Sequence, residues 1–300
     1  MSRVVQHPVK GFAAALAAVA VLSIMDAVMK HLVLVIGIIA VSMWRAIANF
    51  TISAGLFLPR RERWPSARTL RIHVARGVVV TVMAFLFFWG IGRTPLAQAI
   101  ALTFIGPLIA LLLANAFLDE RIGARSVLGS VIAFSGVVVI VAGQATTRLG
   151  PGALLGIAAI IGSALTYAVN IVMMRQQALA ADPLEINFFQ SLVVLVLWLL
   201  VVPFAGPPQW PASQWQWVAL AATLSTCGTL LFAWGYARGP ASYLAATEYS
   251  GFLWASVLGW LVFRERVSVY TLAGAVLIVG GCLVAARSKV AEPPEIDVAA

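Results

Sequence analysis

The sequence predicts an all-α integral membrane protein with ten transmembrane helices, arranged as two inverted-topology five-helix repeats. Three observations carry this expectation. The 300-residue chain is 62% hydrophobic and 10% charged, whereas about a quarter of the residues in a soluble domain are charged. Its apolar residues fall in ten blocks, each long enough to cross a hydrocarbon core about 30 Å thick at about 1.5 Å per residue. The chain also repeats itself: WGIGRTP at 89–95 returns as WGYARGP at 234–240, 145 residues later.

The blocks run near 11–29, 38–58, 72–92, 96–117, 124–143, 152–174, 184–204, 215–237, 241–263 and 268–286. The first is long, carries Asp26 and Lys30 and lacks a small-residue cleavage site, so it reads as a retained helix and not a signal peptide. Lys30 lies four residues after Asp26, the spacing of a favourable helical ion pair, and close enough to the outer end to snorkel. The second block carries Ser42, Arg45, Asn49 and Ser53 at helical spacing, a polar face that belongs against protein or water. Arg76 sits at the cytoplasmic start of the third and is expected to snorkel.

Pro95 and Pro240 open the fourth and ninth blocks in the first turn, where the missing N–H costs nothing. Polar faces recur in the sixth block (Ser163, Thr166, Tyr167, Asn170), the seventh (Asn187, Gln190) and the eighth (Thr223, Thr226). Glu248 lies eight residues past Pro240, about 12 Å along the ninth helix, and Ala241, Ala245, Ala255 and Gly259 share its face. Cys227 and Cys282 lie inside apolar blocks and read as packing residues. Trp64, Trp210, Trp215 and Trp217 sit by loops as interface anchors, while Trp254 lies inside a span and is a candidate lining residue of an aromatic pocket.

The formal net charge of +9 could suggest a nucleic-acid partner, but its distribution argues for a bilayer. With the N-terminus inside, the cytoplasmic segments collect most of the Lys and Arg, and the opposite side only Arg93, Arg148, Arg264 and Arg266. That asymmetry obeys the positive-inside rule, placing both termini in the cytoplasm of a cell bounded by this membrane, the inner membrane of a bacterium. The organisation expected is a cytoplasmic N-terminus (1–10), a first repeat (11–143), a linker (144–151), a second repeat (152–287) and a disordered cytoplasmic tail (288–300).

Sliding the chain by 145 residues matches Trp89, Gly90, Arg93, Pro95, Gly106, Glu120 and Arg121 with Trp234, Gly235, Arg238, Pro240, Gly251, Glu265 and Arg266, without a gap. Lys30 falls on Arg175. Five helices per copy is an odd number, so the second copy enters the membrane from the opposite side, an architecture of transporters whose site lies near the midplane.

Scaffold should agree between copies, whereas a site for an asymmetric ligand need not. Asp26 falls on Ile171, Arg45 on Gln190, and Glu248 on Thr103. Intramembrane charges are costly and so mark function or a compensating partner. Glu248 reads as a site or proton-carrying residue, or as a structural carboxylate; Arg45 as its partner or as the receptor of a substrate carboxylate. Asn49, Tyr167, Asn170, Thr103 and Gln190 can hydrogen-bond a zwitterion or bridge helices. There is no phosphate-binding loop, no Cys/His ligand cluster and no Ser/His/Asp set facing one compartment, so neither a direct ATP drive, a metal or other cofactor, nor an enzyme is expected.

The gapless duplication, Glu-Arg after the fourth and ninth blocks, and Arg45 answered by Gln190 resemble the EamA-type drug/metabolite transporter superfamily, over roughly residues 11–287. The resemblance implies a central cavity bounded by both halves and the export of amino acids, including aromatic ones, or of similar metabolites. The run Met25–Leu32 is also similar to importer subgroups for S-adenosylmethionine or riboflavin. The expected activity is therefore a secondary exporter of amino acids or similar small metabolites. Two alternatives are kept, an importer of a nucleoside-like metabolite and a channel-like or scaffold protein. The partners expected are a small-molecule substrate and the lipid bilayer, with no nucleic acid. Proton coupling and oligomeric state stay open.

Overall fold

The computed structural model describes residues 8–61, 64–106, 109, 124–146, 152–178, 181–236, 247–248 and 250–286. The helices named below are α1 (Pro8–Ile36), α2 (Ile38–Phe57), α3 (Ala67–Ile91), α4 (Leu96–Thr103), α5 (Ala124–Thr146), α6 (Ala153–Ala178), α7 (Pro183–Ala205), α8 (Trp215–Tyr236), α9 (Ser250–Phe263) and α10 (Val269–Ala286). No strand occurs among the described residues. Lys10–Ile36, Ile38–Arg60, Ala67–Ile91, Ala153–Asn170 and Pro183–Ala205 are each long and apolar enough to cross a membrane; Val131–Gly143, Ser250–Phe263 and Val269–Gly281 are shorter apolar helices.

Local chemistry sets the boundaries. Ser66 caps α3 by accepting from the Thr69 N–H, and Asp182 caps α7 by accepting from Leu184 and Glu185, with Pro183 in the first turn. Each such cap contributes about 1 kcal/mol. Gly37 joins α1 to α2 at φ 79° and Gly206 ends α7 at φ 85°, left-handed conformations that a Cβ would strain.

The two halves interleave. Prominent helix contacts cross from one copy to the other: α5 on α10, α3 on α6, α1 on α8, α2 on α7 and α4 on α9. This pattern is unchanged when every helix is exchanged for its counterpart 145 residues away, because α1 on α8 becomes α6 on α3 and the α2, α4 and α5 pairings map onto themselves. Counterparts also run antiparallel. On α5 and α10, Gly136 lies against Gly274 and Gly129 against Gly281, so one chain direction rises as the other falls.

The glycines explain the close approach. A Cβ on Gly136 would stand 2.5 Å from the Gly274 carbonyl oxygen, and one on Gly274 2.6 Å from that of Gly136. The same economy appears at Gly90 against Gly156 O (2.9 Å) and at their register counterparts, Gly235 against Gly11 O (3.0 Å). The main buried cluster joins Met29, Leu32, Val41, Ile91, Leu96 and Leu102 of one half to Ile157, Ile160, Ala255 and Ile278 of the other. Facing outward, Val131, Phe134 and Val138 on α5 and Leu272 and Val276 on α10 are more than half exposed, an apolar surface suited to lipid.

Candidate functional site

Helix α4 stops at Thr103. Phe104 forms a turn in which its N–H bonds to Ala101 O at 3.3 Å, and the Thr103 hydroxyl donates to Ile100 O at 2.7 Å. By sequence, Pro107 has no N–H to offer the Thr103 carbonyl. In the second copy, Thr247 and Glu248 form a short 3-10 turn ahead of α9, where the Ser250 hydroxyl donates to Thr247 O at 2.6 Å. These two positions are Leu102 and Thr103 shifted by 145, so each copy departs from the regular α-helix within two residues of one register, at Phe104 in the first and at Thr247–Glu248 in the second. The continuous helix expected through Glu248 is corrected accordingly: hydroxyl groups at Thr103 and Ser250 compete for backbone carbonyls and tighten the turn. Ala241 and Ala245 lie outside the described residues.

Around this break stand several of the candidates. Thr103 and Glu248 are both half-buried. The Tyr167 ring packs onto Gly106, where a Cβ would lie 2.9 Å from its Cδ1. Gln190 is half-buried on α7, whereas Trp254 is 39% exposed and turns to the outside of the bundle. A pocket-lining Trp254 is not what α9 presents: its buried face is Gly251, Ala255 and Gly259.

A second group lies between α1, α2 and α3. Arg45 stacks its guanidinium over the Phe88 ring at 5.1 Å and closes no ion pair with Asp26. Its Nε and the Asn49 Oδ1 one turn on are buried without a hydrogen-bond partner. Among the described residues no ion pair joins Arg45 to Glu248, so the pairing expected between them is replaced by a looser relation to Asp26. A donor and an acceptor left open beside opposite charges form an arrangement able to take the two ends of a zwitterion.

Two polar networks correct the reading of Lys30 and Arg76. Lys30 is 3% exposed and does not snorkel; it donates to Thr94 O at 2.7 Å and pairs with Glu265, not with Asp26. A charged acceptor and a free carbonyl at the end of α1 outbid a carboxylate one turn deeper. Arg76, also buried, donates through Nε to Asn170 Oδ1 at 2.9 Å and through Nη1 to Gln177 Oε1 at 2.6 Å. Asn170 is thereby committed to a helix bridge. Gln177 also meets His73 Nδ1, and His73 Nε2 lies 3.0 Å from Glu185 Oε1, with the imidazole stacked on Phe189. Sequence reasoning does not single out Glu265 as a pairing group, nor Gln177 or Glu185. The available signal was Glu265 matching Glu120 in a chain otherwise poor in acids.

Among the described residues no group of three His, Cys, Asp or Glu could hold a metal ion. Residues 9–142 and again 154–287 match the EamA-like transporter family, two segments offset by the register of the repeat. The chain is 27% identical to the pseudopaline exporter CntI of Pseudomonas aeruginosa over 72% of this chain and 75% of that one. It is 24% identical to a riboflavin transporter of Vibrio cholerae over 86% of each. It is also 24% identical to an S-adenosylmethionine uptake transporter of Rickettsia felis, over 71% of this chain and 70% of that one. A solved crystal structure shares the fold with a TM-score of 0.58 at 20% identity, covering 92% of this chain and 95% of the other.

Proposed function

This chain belongs to the EamA-like transporter family, and from that premise we propose that it is a secondary transporter exporting amino acids, aromatic or hydrophobic ones included, or similar small metabolites by alternating access. The observation that carries this reading is the departure from regular α-helix near one register in both copies, at Phe104 and at Thr247–Glu248. Helices broken at corresponding positions of antiparallel repeats are where transporters of this architecture expose backbone and polar side chains to substrate. The proposed protein spans the bacterial inner membrane ten times, with both termini cytoplasmic and the copies related by an axis in the membrane plane.

Substrate then lies between the break, with Glu248, Thr103 and Tyr167, and the open polar groups of Asp26, Arg45 and Asn49. An amino acid brings an ammonium for a carboxylate and a carboxylate for a guanidinium. Glu248, present in one copy only, is the group best suited to carry a coupling proton. Import of a larger metabolite is the second reading, supported by the relatives named for riboflavin and S-adenosylmethionine transport.

Counterflow in proteoliposomes against labelled amino acids, riboflavin and S-adenosylmethionine tests the proposal. Saturable counterflow of an amino acid is the expected result. Counterflow restricted to the larger metabolites favours the importer, and flux that neither saturates nor exchanges favours a channel.

A further inference from the structure

At the end of the bundle assigned to the outside, Lys30 of α1 pairs with Glu265, which lies in the loop between α9 and α10. We propose that this contact is a latch holding the outer end shut, which must open once in each transport cycle; the proposal rests on the alternating-access reading above.

The contact ties together the parts that such a cycle must separate. Lys30 also donates to Thr94 O at 2.7 Å, and the second carboxylate oxygen of Glu265 accepts from the Leu96 N–H at 2.8 Å. Glu265, from the second copy, thus caps the first turn of α4, from the first copy. Helix α4 runs only from Leu96 to Thr103, so its capped end and the Phe104 turn are the two ends of one rigid piece about 12 Å long. A displacement at the cap is delivered to the candidate site.

The backbone is shaped to present Glu265. Arg264 adopts φ 58°, the left-handed conformation usually left to glycine, and Glu265 N bonds back to Gly259 O at 3.0 Å. Gly259 leaves room for the carboxylate, since a Cβ there would lie 3.1 Å from Oε2. The latch is also built to come apart. Glu265 itself lines a cavity of about 120 Å³, whose walls include Gln98, Ser256, Ser268 and Thr271. The Gln98 Nε2 there has no partner. The hydroxyl groups of Ser256, Ser268 and Thr271 and the open Gln98 donor can hold water, which would solvate Glu265 as it leaves Lys30. The sequence repeats the two charges 145 residues away, as Arg175 and Glu120.

The test labels Ser256→Cys, at the cavity wall, with a membrane-impermeant thiol reagent applied from outside, after replacing Cys227 and Cys282. Lys30→Gln and Glu265→Gln should each speed labelling by about tenfold, within the range typical of coupling between two states, while Lys30→Arg should not. Glu265→Gln is isosteric and keeps an acceptor for Leu96 N, so loss of the helix cap alone cannot account for its effect. Labelling of Glu265→Gln at the parental rate overturns the latch. The readout needs no substrate, so it is separate from counterflow: parental protein without counterflow sinks the transport reading, whereas unchanged labelling sinks only the latch.

Discussion

Arg76 donates to Gln177 Oε1, and because a guanidinium has donors only, the Gln177 amide cannot turn around without losing that bond. Its NH2 therefore faces His73 Nδ1, which must accept, leaving the ring proton on Nε2 toward Glu185. One arginine thus fixes the orientation of an amide on α6 and the tautomer of a histidine on its own helix, α3, which in turn faces Glu185 on α7. Arg76→Met should leave Asn170 Oδ1 and Gln177 Oε1 without donors, at about 1–3 kcal/mol for each, read as a lowered melting temperature in detergent. A parental melting temperature would show that the network does not stabilise the fold. Glu248 calls for a different measurement, because its proposed role is in transport. Glu248→Gln should express normally and lose counterflow at least tenfold, a difference of about 1.4 kcal/mol; well-expressed protein with parental transport at acid and alkaline pH makes Glu248 structural.

Helix contacts here depend on where a side chain is absent. On α10, Gly274 and Gly280 look alike in sequence, yet a Cβ on Gly274 would stand 2.6 Å from the Gly136 carbonyl, while one on Gly280 would meet nothing within 4 Å. Gly274→Ala should therefore force α5 and α10 apart and destabilise by about 1–3 kcal/mol. Gly280→Ala should be neutral or stabilise by up to about 1 kcal/mol through its better helix propensity. Thermal melting of the two variants side by side checks this, and equal losses would refute the packing argument. The pair also marks what the sequence could reveal. The duplication was legible because Trp, Gly, Arg and Pro recur at fixed spacing where chance would align only aliphatic residues. The partners of buried charges were not: Lys30 reaches across 235 positions to Glu265, and local spacing pointed instead to Asp26. The helix break near Glu248 was hidden too, since propensity does not register a hydroxyl bonding back to a carbonyl three residues earlier.

Antiparallel counterparts, with the odd number of spans per copy proposed above, make the two faces of the protein versions of one another. The Lys and Arg asymmetry sets which is which: cysteine at Gly206 should label from outside and cysteine at Ser66 should not, and the reverse pattern would invert the topology. Two-fold kinship has a stronger consequence for the cycle. If rocking of one copy against the other opens one end as it closes the opposite end, a contact released at either end shifts the same equilibrium, but in opposite directions. The side chains of Arg175 and Glu120 lie outside the described residues, and only their places in the register enter the argument. Lys30→Gln weakens the outward-closed state and should speed external labelling at Ser256→Cys. If the recurrent charges meet at the opposite end, Arg175→Gln should slow it, by a comparable factor of about ten. The double variant should return close to the parental rate, since both states lose a similar contact. Faster labelling in Arg175→Gln, or none of these shifts, would mean that the two ends open independently and that the repeated charges do not work as a pair.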